Sequence, residues 1–402
     1  MSMPSAALST VLEAPNRQTV PRAVWQVLAA SVGLLLLLGG MTASLTTAGV
    51  RPVLGWALGA ALGAVFVAAS FGFSAGVRRF FTLGDSQHLR AQLLMVGVAL
   101  ALFTPALAAG DVLGFPVRGY VFPIGLALVA GGVLFGIGMQ IAGACGSGML
   151  AALGGGSARM IVAFLAFIAG ATLAVATSEA WSTLPRLPAF SFTSSLGLPG
   201  GIAVQVALIA ALWLGLALVE RARRGAVVSL FQKRSGDLLS PGMGAVLIAA
   251  LSFATLAALG RPWILSMPFA LWGSWGVEVS GLDDPTFWYF WEDPTRVDLY
   301  QRAAFSDPSS VMNLGMILGA LMAAGLTLRF IPVWRLPLRS FLAALIGGLF
   351  LGYGAVLGTG CNIGAFLAGA ASGSGHGWVW LAAALTGNAI GLLFRPLFGL
   401  SR

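Results

Sequence analysis

Ten apolar runs of roughly 18 to 24 residues recur along the chain, at approximately 23–46, 53–71, 90–108, 120–143, 158–178, 201–220, 243–260, 308–328, 340–357 and 377–394. Each is long enough to cross a hydrocarbon core of about 30 Å as a helix. Hydrophobic residues make up 58% of the chain and charged residues 9%. So much apolar surface cannot be hidden in a water-soluble core, which excludes a soluble globular enzyme. The expected fold is an all-α polytopic membrane protein of about ten transmembrane helices. The basic flank of the first run and the small residues at Thr42-Ala43-Ser44 resemble a signal peptide, but the run is long enough to span and is read as a helix that stays.

A net charge of +9 suggests nucleic acid in a soluble protein, yet here the cations sit in short loops beside the apolar runs. Their distribution therefore reads as topology, and no nucleic-acid partner is expected. With the N-terminus inside, the inner segments carry Arg17, Arg22, Arg78, Arg79, Arg90, Arg159, Arg221, Arg223, Arg224, Lys233, Arg234, Arg329, Arg335, Arg339, Arg395 and Arg402. The outer segments carry Arg51, Arg118, Arg186, Arg261, Arg296 and Arg302, the last three in a net acidic loop. Both termini are placed in the cytoplasm of a bacterial cell with this protein in its inner membrane. The chain divides into a polar tail over 1–22, a first transmembrane half over 23–220, a basic cytoplasmic linker over 221–242 and a second half over 243–402.

The two halves share a sentence. An offset of 216 residues lays Gly131, Gly132, Gly136 and Gly138 on Gly347, Gly348, Gly352 and Gly354. The same offset lays Cys145 on Cys361 and Gly148 on Gly364, and these are the two cysteines of the chain. The spans leading into the cysteines are the fourth and the ninth, so an odd separation makes them run in opposite directions. This predicts two inverted repeats whose glycine-rich segments are broken or re-entrant and converge on a midplane site.

Glycine lets backbone leave helical geometry and lets neighbouring backbones close around it, as a lipid-shielded break requires. Gly132-x-x-x-Gly136, Gly348-x-x-x-Gly352 and the series Gly55, Gly59, Gly63 read as small-residue faces for tight helix packing. Gly143, Gly146, Gly148, Gly358, Gly360 and Gly364 crowd around one polar position in each half and read as site-forming backbone. A lone buried cysteine is ordinarily an apolar filler. Equivalent placement of Cys145 and Cys361 in both halves favours a role in the path instead. Free amides at a helix break hold an anion, and a thiol adds a soft, polarizable sulfur. The combination suits a small anion carrying sulfur or selenium, held by dipoles without a formal charge deep in the path. No Cys-x-x-Cys occurs, and His88 and His376 lie far from helical ligand spacing, so neither metal nor cofactor is expected. No phosphate-binding Gly-x-x-x-x-Gly-Lys-Ser/Thr run is present.

From about residue 53 to 394 the chain resembles the YeeE/YedE family of membrane proteins, thiosulfate permeases and relatives linked to sulfur or selenium traffic. The resemblance rests on the Gly-x-Gly runs ending in Cys145-Gly-Ser-Gly148 and Cys361-Asn-Ile-Gly364. Looser matches are Gly59 to Arg79, Trp272-Gly273-Ser274-Trp275 and Val311 to Ala320. It implies an hourglass-shaped inverted-repeat transporter whose cysteines relay thiosulfate by S–H to sulfur hydrogen bonds, a relay that falls on Cys145 and Cys361. Many relatives carry Phe-Cys-Phe where this chain reads Phe71-Gly72-Phe73, so one thiol station is missing.

The expected function is uptake of a small sulfur-containing anion, most directly thiosulfate, through Cys145, Cys361, Gly143, Gly146, Ser147, Gly148, Gly358, Thr359, Gly360, Asn362 and Gly364. The alternatives are a selenium-compound transporter of the same fold and a membrane thiol enzyme relaying sulfur covalently to a cytosolic sulfurtransferase. Beyond the substrate and membrane lipid, a cytosolic sulfur carrier is the partner considered. Among neutral polar residues, Gln140, Ser147, Thr359 and Asn362 are read as ligand contacts and Asn388 as interhelical glue. His376 reads as a solvated loop residue, Met139 and Met149 as packing. Trp263, Trp272, Trp275, Trp288 and Trp291 read as an interfacial belt or an outer lid.

Overall fold

The computed structural model describes residues 22–301, 304–333 and 335–401. Most of the expected tail over 1–22, with Arg17, Arg302 and Arg402, lies outside the described residues. The helices are α1 Arg22–Ala48, α2 Val50–Ala68, α3 Phe73–Leu83, α4 Gln87–Ala109, α5 Leu126–Ala142, α6 Gly146–Gly154, α7 Ala158–Ala176 and α8 Ser178–Ser182. They continue with α9 Phe192–Arg224, α10 Pro241–Leu259, α11 Met267–Ser280, α12 Pro294–Tyr300, α13 Pro308–Leu326 and α14 Leu338–Leu357. A π-helix over Asn362–Ala368 runs into α15 Gly369–Ala371, and α16 Gly375–Phe394 follows. Each of the ten apolar runs became a long helix, and ten segments of the described residues are long and apolar enough to cross a membrane.

Three elements depart from the sequence reading. Helix α3 follows the end of α2 after a break at Ala69–Gly72, and α11 forms a helix within what read as an outer loop. The basic linker is shorter than expected, because α9 runs on to Arg224 and α10 starts at Pro241 behind a Ser240 cap, whose side chain accepts from the Met243 amide.

Helix pairing carries the duplication. Helix α2 packs on α13 as α10 packs on α4, α7 packs on α14 as α16 packs on α5, and α1 meets α13 as α9 meets α4. The pairs are interchanged when α1, α2, α4, α5 and α7 are exchanged for α9, α10, α13, α14 and α16. Helix α5 starts beside Pro185 and ends at Gly143 near Arg159, whereas α14 starts near the strand-like contact of Val333 with Gly156 and ends at Thr359 beside Tyr120. The two therefore run antiparallel, and the repeats are inverted. Helices α1 and α9 flank the bundle; α9 exposes Leu212, Leu214, Leu218 and Val219, an apolar surface suited to lipid.

Glycine sets the distance between the inner helices. A Cβ on Gly136 would stand 2.2 Å from the Ala384 carbonyl oxygen, and one on Gly352 would stand 2.0 Å from that of Phe167. Gly59 and Gly63 meet the carbonyls of Met312 and Met316 at 2.2 Å in the same sense. The small-residue faces read from sequence are thus backbone-on-backbone seams. The cysteine-bearing helices α5 and α14 cross on four glycines, Gly131 and Gly138 of one against Gly354 and Gly347 of the other.

The loops collect into two ends. One holds Arg78, Arg79, Arg159, residues 225–240, Arg329 and Arg395, tied by bonds such as Leu238 amide to Ala68 carbonyl and Ile331 amide to Gly155 carbonyl. The other holds residues 110–125, 185–191, 260–301, 304–307 and 372–374, with two small antiparallel pairs, β1 Asp111–Val112 with β2 Phe115–Pro116 and β3 Pro123–Gly125 with β4 Arg186–Ala189. At the arginine-rich end, buried Asp85 receives Arg234 at 2.6 Å, Arg79 at 2.8 Å and Arg224 at 3.4 Å. Glu220, fully buried, receives Arg90 at 2.8 Å and the Ser86 hydroxyl at 2.6 Å. Gln87 donates to the carbonyls of Ser229 and Gln232, so this network clamps the 225–240 segment onto the start of α4.

Two outcomes follow from this packing. Gly138→Leu or Gly354→Leu wedges a side chain between α5 and α14 and destabilises the bundle by about 3 kcal/mol or more, read as loss of a monodisperse detergent-solubilised species and a lowered melting temperature. Gly215→Ala on α9, where an added Cβ meets nothing within 4 Å, leaves both unchanged or slightly improved. The second concerns Asp85. Burial alone raises its carboxyl, but hydrogen bonds from Arg79 and the Gln87 amide, with the Arg234 charge, outweigh it and hold it below the ordinary carboxylate range. Stabilisation from a depressed carboxyl is complete above its unfolded value and is lost as pH falls through the folded one. Amide-exchange protection of residues 227–239 therefore holds from about pH 8 to about pH 5 and fails only in stronger acid; a steady loss across that upper range refutes the clamp.

Candidate functional site

Each cysteine sits where a long helix stops and a short one turns back. Helix α5 closes at Gly143, whose φ of +87° is the left-handed conformation that favours glycine. Cys145 then caps α6, with its Sγ accepting from the Gly148 amide at 3.3 Å and standing 3.4 Å from the Ser147 hydroxyl. In the other half α14 closes at Gly358, and Gly360 adopts a φ of +148°. A Cβ there would lie 2.6 Å from the Ala365 amide nitrogen, so any side chain collides with the re-entrant turn. Cys361 caps the π-helix with no side-chain hydrogen bond of its own, while the amides of Ile363 and Gly364 stand near its sulfur.

The two motifs meet. A Cβ on Gly146 would lie 3.6 Å from Cys361 Cβ and 3.8 Å from its Sγ. Both thiols are free, and each is 1% exposed. Helix α6 runs from this meeting point back to the arginine-rich end, where Gly155 accepts from Ile331, and the π-helix runs back to the opposite end, where Ser372 accepts from the Tyr120 amide. The positive ends of two re-entrant helices thus converge on the thiols from opposite sides.

Two cavities of about 490 Å³ each flank the pair. One opens at the arginine-rich end and is lined by Phe71, Gly72, Phe73, Gly143, Cys145 and Arg159. The other, at the opposite end, is lined by Tyr120, Arg186, Arg261, Ser266, Arg296 and Thr359. Cys145 lines the first, and Thr359, two residues before Cys361, lines the second, so the waist where the two motifs meet stands between Cys145 and Thr359.

Polar groups near the waist are short of partners. Thr359, at φ +59°, gives its carbonyl to the Tyr120 hydroxyl at 2.7 Å, but its own hydroxyl is buried and unpaired. The Asn362 carbonyl oxygen is likewise buried and unpaired. Unpaired buried donors and acceptors carry a desolvation cost, and a ligand relieves it. Burial, with Cys361 beside it, pushes the Tyr120 phenol well above its ordinary value, so it serves as a donor.

The sequence-predicted residues fall into groups. Gly143, Cys145, Gly146, Ser147, Gly148, Thr359, Gly360, Cys361 and Asn362 come together at the waist or its mouths. Gly358 is better explained by packing, since a Cβ there would strike the Trp380 indole at 2.8 Å and Gly131 already presses on its amide. Gly364 has its nearest neighbour atom 4.0 Å from an added Cβ and is open. Gln140, read as a ligand contact, is interhelical glue: its amide donates to Asn388 at 2.7 Å and to the Ser74 carbonyl at 3.2 Å. Asn388 is glue as expected, and Met139 and Met149 are fully buried packing.

His376 departs from its reading as a solvated loop residue. It lies in the first turn of α16, fully buried, with Nδ1 at 2.7 Å from the Ser374 hydroxyl and its ring against Tyr120 and Phe122. The five tryptophans each donate an indole N–H within the protein. Trp263 donates to Asn313, Trp272 to Ser310, Trp275 to the Tyr300 carbonyl, Trp288 to Asp283 and Trp291 to Ser274.

Sequence reasoning missed three contributors. Leu265 presses on the waist, 2.9 Å from an added Cβ on Gly146, and its carbonyl is fixed by the Asn313 side chain at 2.9 Å. An asparagine inside an apolar run was the available signal for Asn313. Phe73 places its amide near the Cys145 sulfur from the break between α2 and α3. Arg159 lines the cavity that ends on Cys145, and a cation in the first turn of a span, against the helix dipole, was the signal for it.

Residues 68–390 match the family described as Sulphur transport. Over 144 residues the chain is 30% identical to a probable transporter YedE of Escherichia coli (strain K12), a stretch covering 35% of this chain and 34% of that protein. Over 164 residues it is 27% identical to a probable transporter YedE of Salmonella typhimurium, covering 40% of this chain and 39% of the relative. The chain thus spans a little over a third of the length of these curated relatives in each match. The family match takes in both cysteine motifs and the helices that carry them, and with the inverted glycine-seamed halves it places this chain in the sulphur transport family of the YeeE/YedE type.

Proposed function

We propose that this protein is an inner-membrane permease that takes up a small sulfur-containing anion, with thiosulfate the substrate that fits best. The observation that carries the reading is the meeting of Cys145 and Cys361 between two cavities that open at opposite ends. An anion entering by the Tyr120–Thr359 cavity leaves the Arg261 and Arg296 side of the vestibule for a dry waist. There the soft thiol contacts and the re-entrant helix dipoles replace its water. It emerges beside Cys145 into the arginine-rich cavity, and the excess of cations there supports reading that end as cytoplasmic. A cytosolic sulfur carrier receiving the anion docks at that end.

The hydrogen bonding of Cys145 favours a noncovalent relay over a thiol enzyme. Its sulfur faces a serine hydroxyl and a backbone amide, neither of which takes a proton at neutral pH to make a thiolate. A selenium-containing anion is the second reading, and Gly72 favours it. This position lines the Cys145 cavity and carries no thiol, so a substrate that needs three sulfur stations is less well served here.

Proteoliposomes containing this protein alone test the reading through uptake of labelled thiosulfate. Cys145→Ala and Cys361→Ala each reduce uptake by about tenfold or more, and serine at either position restores part of it by keeping a donor. Normal uptake by both alanine variants makes the cysteines packing residues and removes the mechanism. Loss of all flux in the serine variants turns the reading toward covalent relay. For orientation, single cysteines introduced at 227–239 react with an impermeant thiol reagent only from the cytoplasmic side, and those at 281–290 only from outside. The reverse pattern inverts the topology.

A further inference from the structure

Arg159 shares a cavity wall with Cys145 and Gly143. One terminal nitrogen of its guanidinium donates to the Ile141 carbonyl at 2.7 Å, which pins the group against the last turn of α5. The other stands 3.7 Å from the place of a Cβ on Gly143. Its Nε is buried without an acceptor. Arg395 donates to the neighbouring Gln140 carbonyl at 2.6 Å, and Arg78 is close enough to act on both charges. The carboxylates of this end are engaged elsewhere: Asp85 with Arg79, Arg224 and Arg234, Glu220 with Arg90 and Arg224, and Asp237 with Arg329.

Capping of α5 explains part of this, since cations near a helix C-terminus are favourable. It does not explain why three guanidiniums gather there with no Asp or Glu paired to them among the described residues, nor why the one that lines the cavity keeps a buried N–H unused. The other half shows that the cap itself needs no charge. The repeat offset sets Gly375 at the position of Arg159 and Leu357 at that of Ile141, so α14 ends with no guanidinium at the equivalent place, and the later Thr359 carbonyl takes the neutral Tyr120 hydroxyl. The charge on the Cys145 side is therefore additional to what the fold requires.

We propose that Arg159, with Arg78 and Arg395 behind it, is an oxyanion-binding station on the Cys145 side of the waist. The ligand class is a small tetrahedral oxyanion that presents two oxygens to the guanidinium fork. The thiols read the soft sulfur of a passing anion, and the station reads its oxygens. The station's place in a transport path rests on the permease reading; its binding of an oxyanion does not.

Equilibrium binding of radiolabelled sulfate and of radiolabelled thiosulfate to the full-length protein in detergent tests the proposal by scintillation proximity. The wild type binds both, because the guanidinium does not distinguish them by their terminal atom. Arg159→Gln weakens both by about tenfold or more, the loss of one charge-assisted contact. Arg118→Gln, the same charge change on an exposed residue at the opposite end, leaves both unchanged. Equal weakening by Arg118→Gln reduces the effect to general electrostatics and overturns the station, as does a wild type that binds neither anion or an Arg159→Gln that binds both as before. If Arg159→Gln does not fold, Arg159→Lys decides, since it keeps the charge and loses the fork: a drop of about threefold or more supports the station and no change overturns it. Binding lost in Arg159→Gln while the wild type fails to carry thiosulfate in liposomes upholds the station and refutes the permease reading.

Discussion

Everything at the waist depends on how closely α5 and α14 approach. Lipid offers helices no hydrophobic reason to associate, so their cohesion comes from dispersion and from backbone proximity, which falls off steeply with distance. Gly131 and Gly138 on one helix and Gly347 and Gly354 on the other bring the two backbones into direct contact, at separations where even a methyl group collides. These four are repeat equivalents, so one packing solution is used twice about the pseudo-twofold axis. The crossing brings the breaks at Gly143–Cys145 and Gly358–Cys361 to the same depth. A wider crossing leaves two separate half-sites and no shared waist.

The breaks are costly in a membrane, and the structure offsets that cost locally. Backbone groups freed at the end of α5 go to Arg159 and Arg395, those at the end of α14 to Tyr120, and the Cys145 sulfur takes the Gly148 amide. What stays unpaired falls on both sides, at the Thr359 hydroxyl and the Asn362 side-chain carbonyl of the second motif and at the Gln140 side-chain carbonyl and Arg159 Nε beside the first. The halves also differ in winding. Helix α6 is a regular α-helix, whereas its counterpart is a seven-residue π-helix, a widened form that persists where a function compensates for its poorer bonding. The duplication preserved the glycines and the thiols; the two mouths then diverged, one charged and one neutral at the helix end.

Much of the fold was legible in the sequence because bilayer thickness and glycine spacing are one-dimensional constraints. Ten runs gave ten long helices, and the 216-residue offset gave the inverted pair. Helices α3 and α11 were not legible. Each is a half-length element behind a break, and its apolar stretch is too short to register as a span. Gln140 read as a ligand contact because it sits within the motif, but helical spacing turns it toward α16, where its amide nitrogen donates to Asn388. His376 read as solvated because it lies in a glycine-rich stretch. Gly369 is what makes room for its ring inside the protein: a Cβ there would sit 2.7 Å from it. Leu265 and Trp263 were invisible for a different reason, since their approach to the waist is set by tertiary packing of the segment between α10 and α11.

An anion moving inward does so against an interior that is electrically negative, at about 2.3 kcal/mol for each charge per 100 mV. In the proposed orientation, the guanidiniums beside Cys145 lower the energy of the anion at the end where the potential raises it, which flattens the profile along the proposed path. Flattening speeds passage without choosing its direction, because a fixed charge acts equally on entry and exit. A site that binds too strongly also slows release, and the placement of Arg159 in an open cavity, with water as a competitor, keeps its hold moderate. On the permease reading, the net direction of flux then comes from outside the fold, through consumption of the anion in the cytoplasm or a cation carried with it.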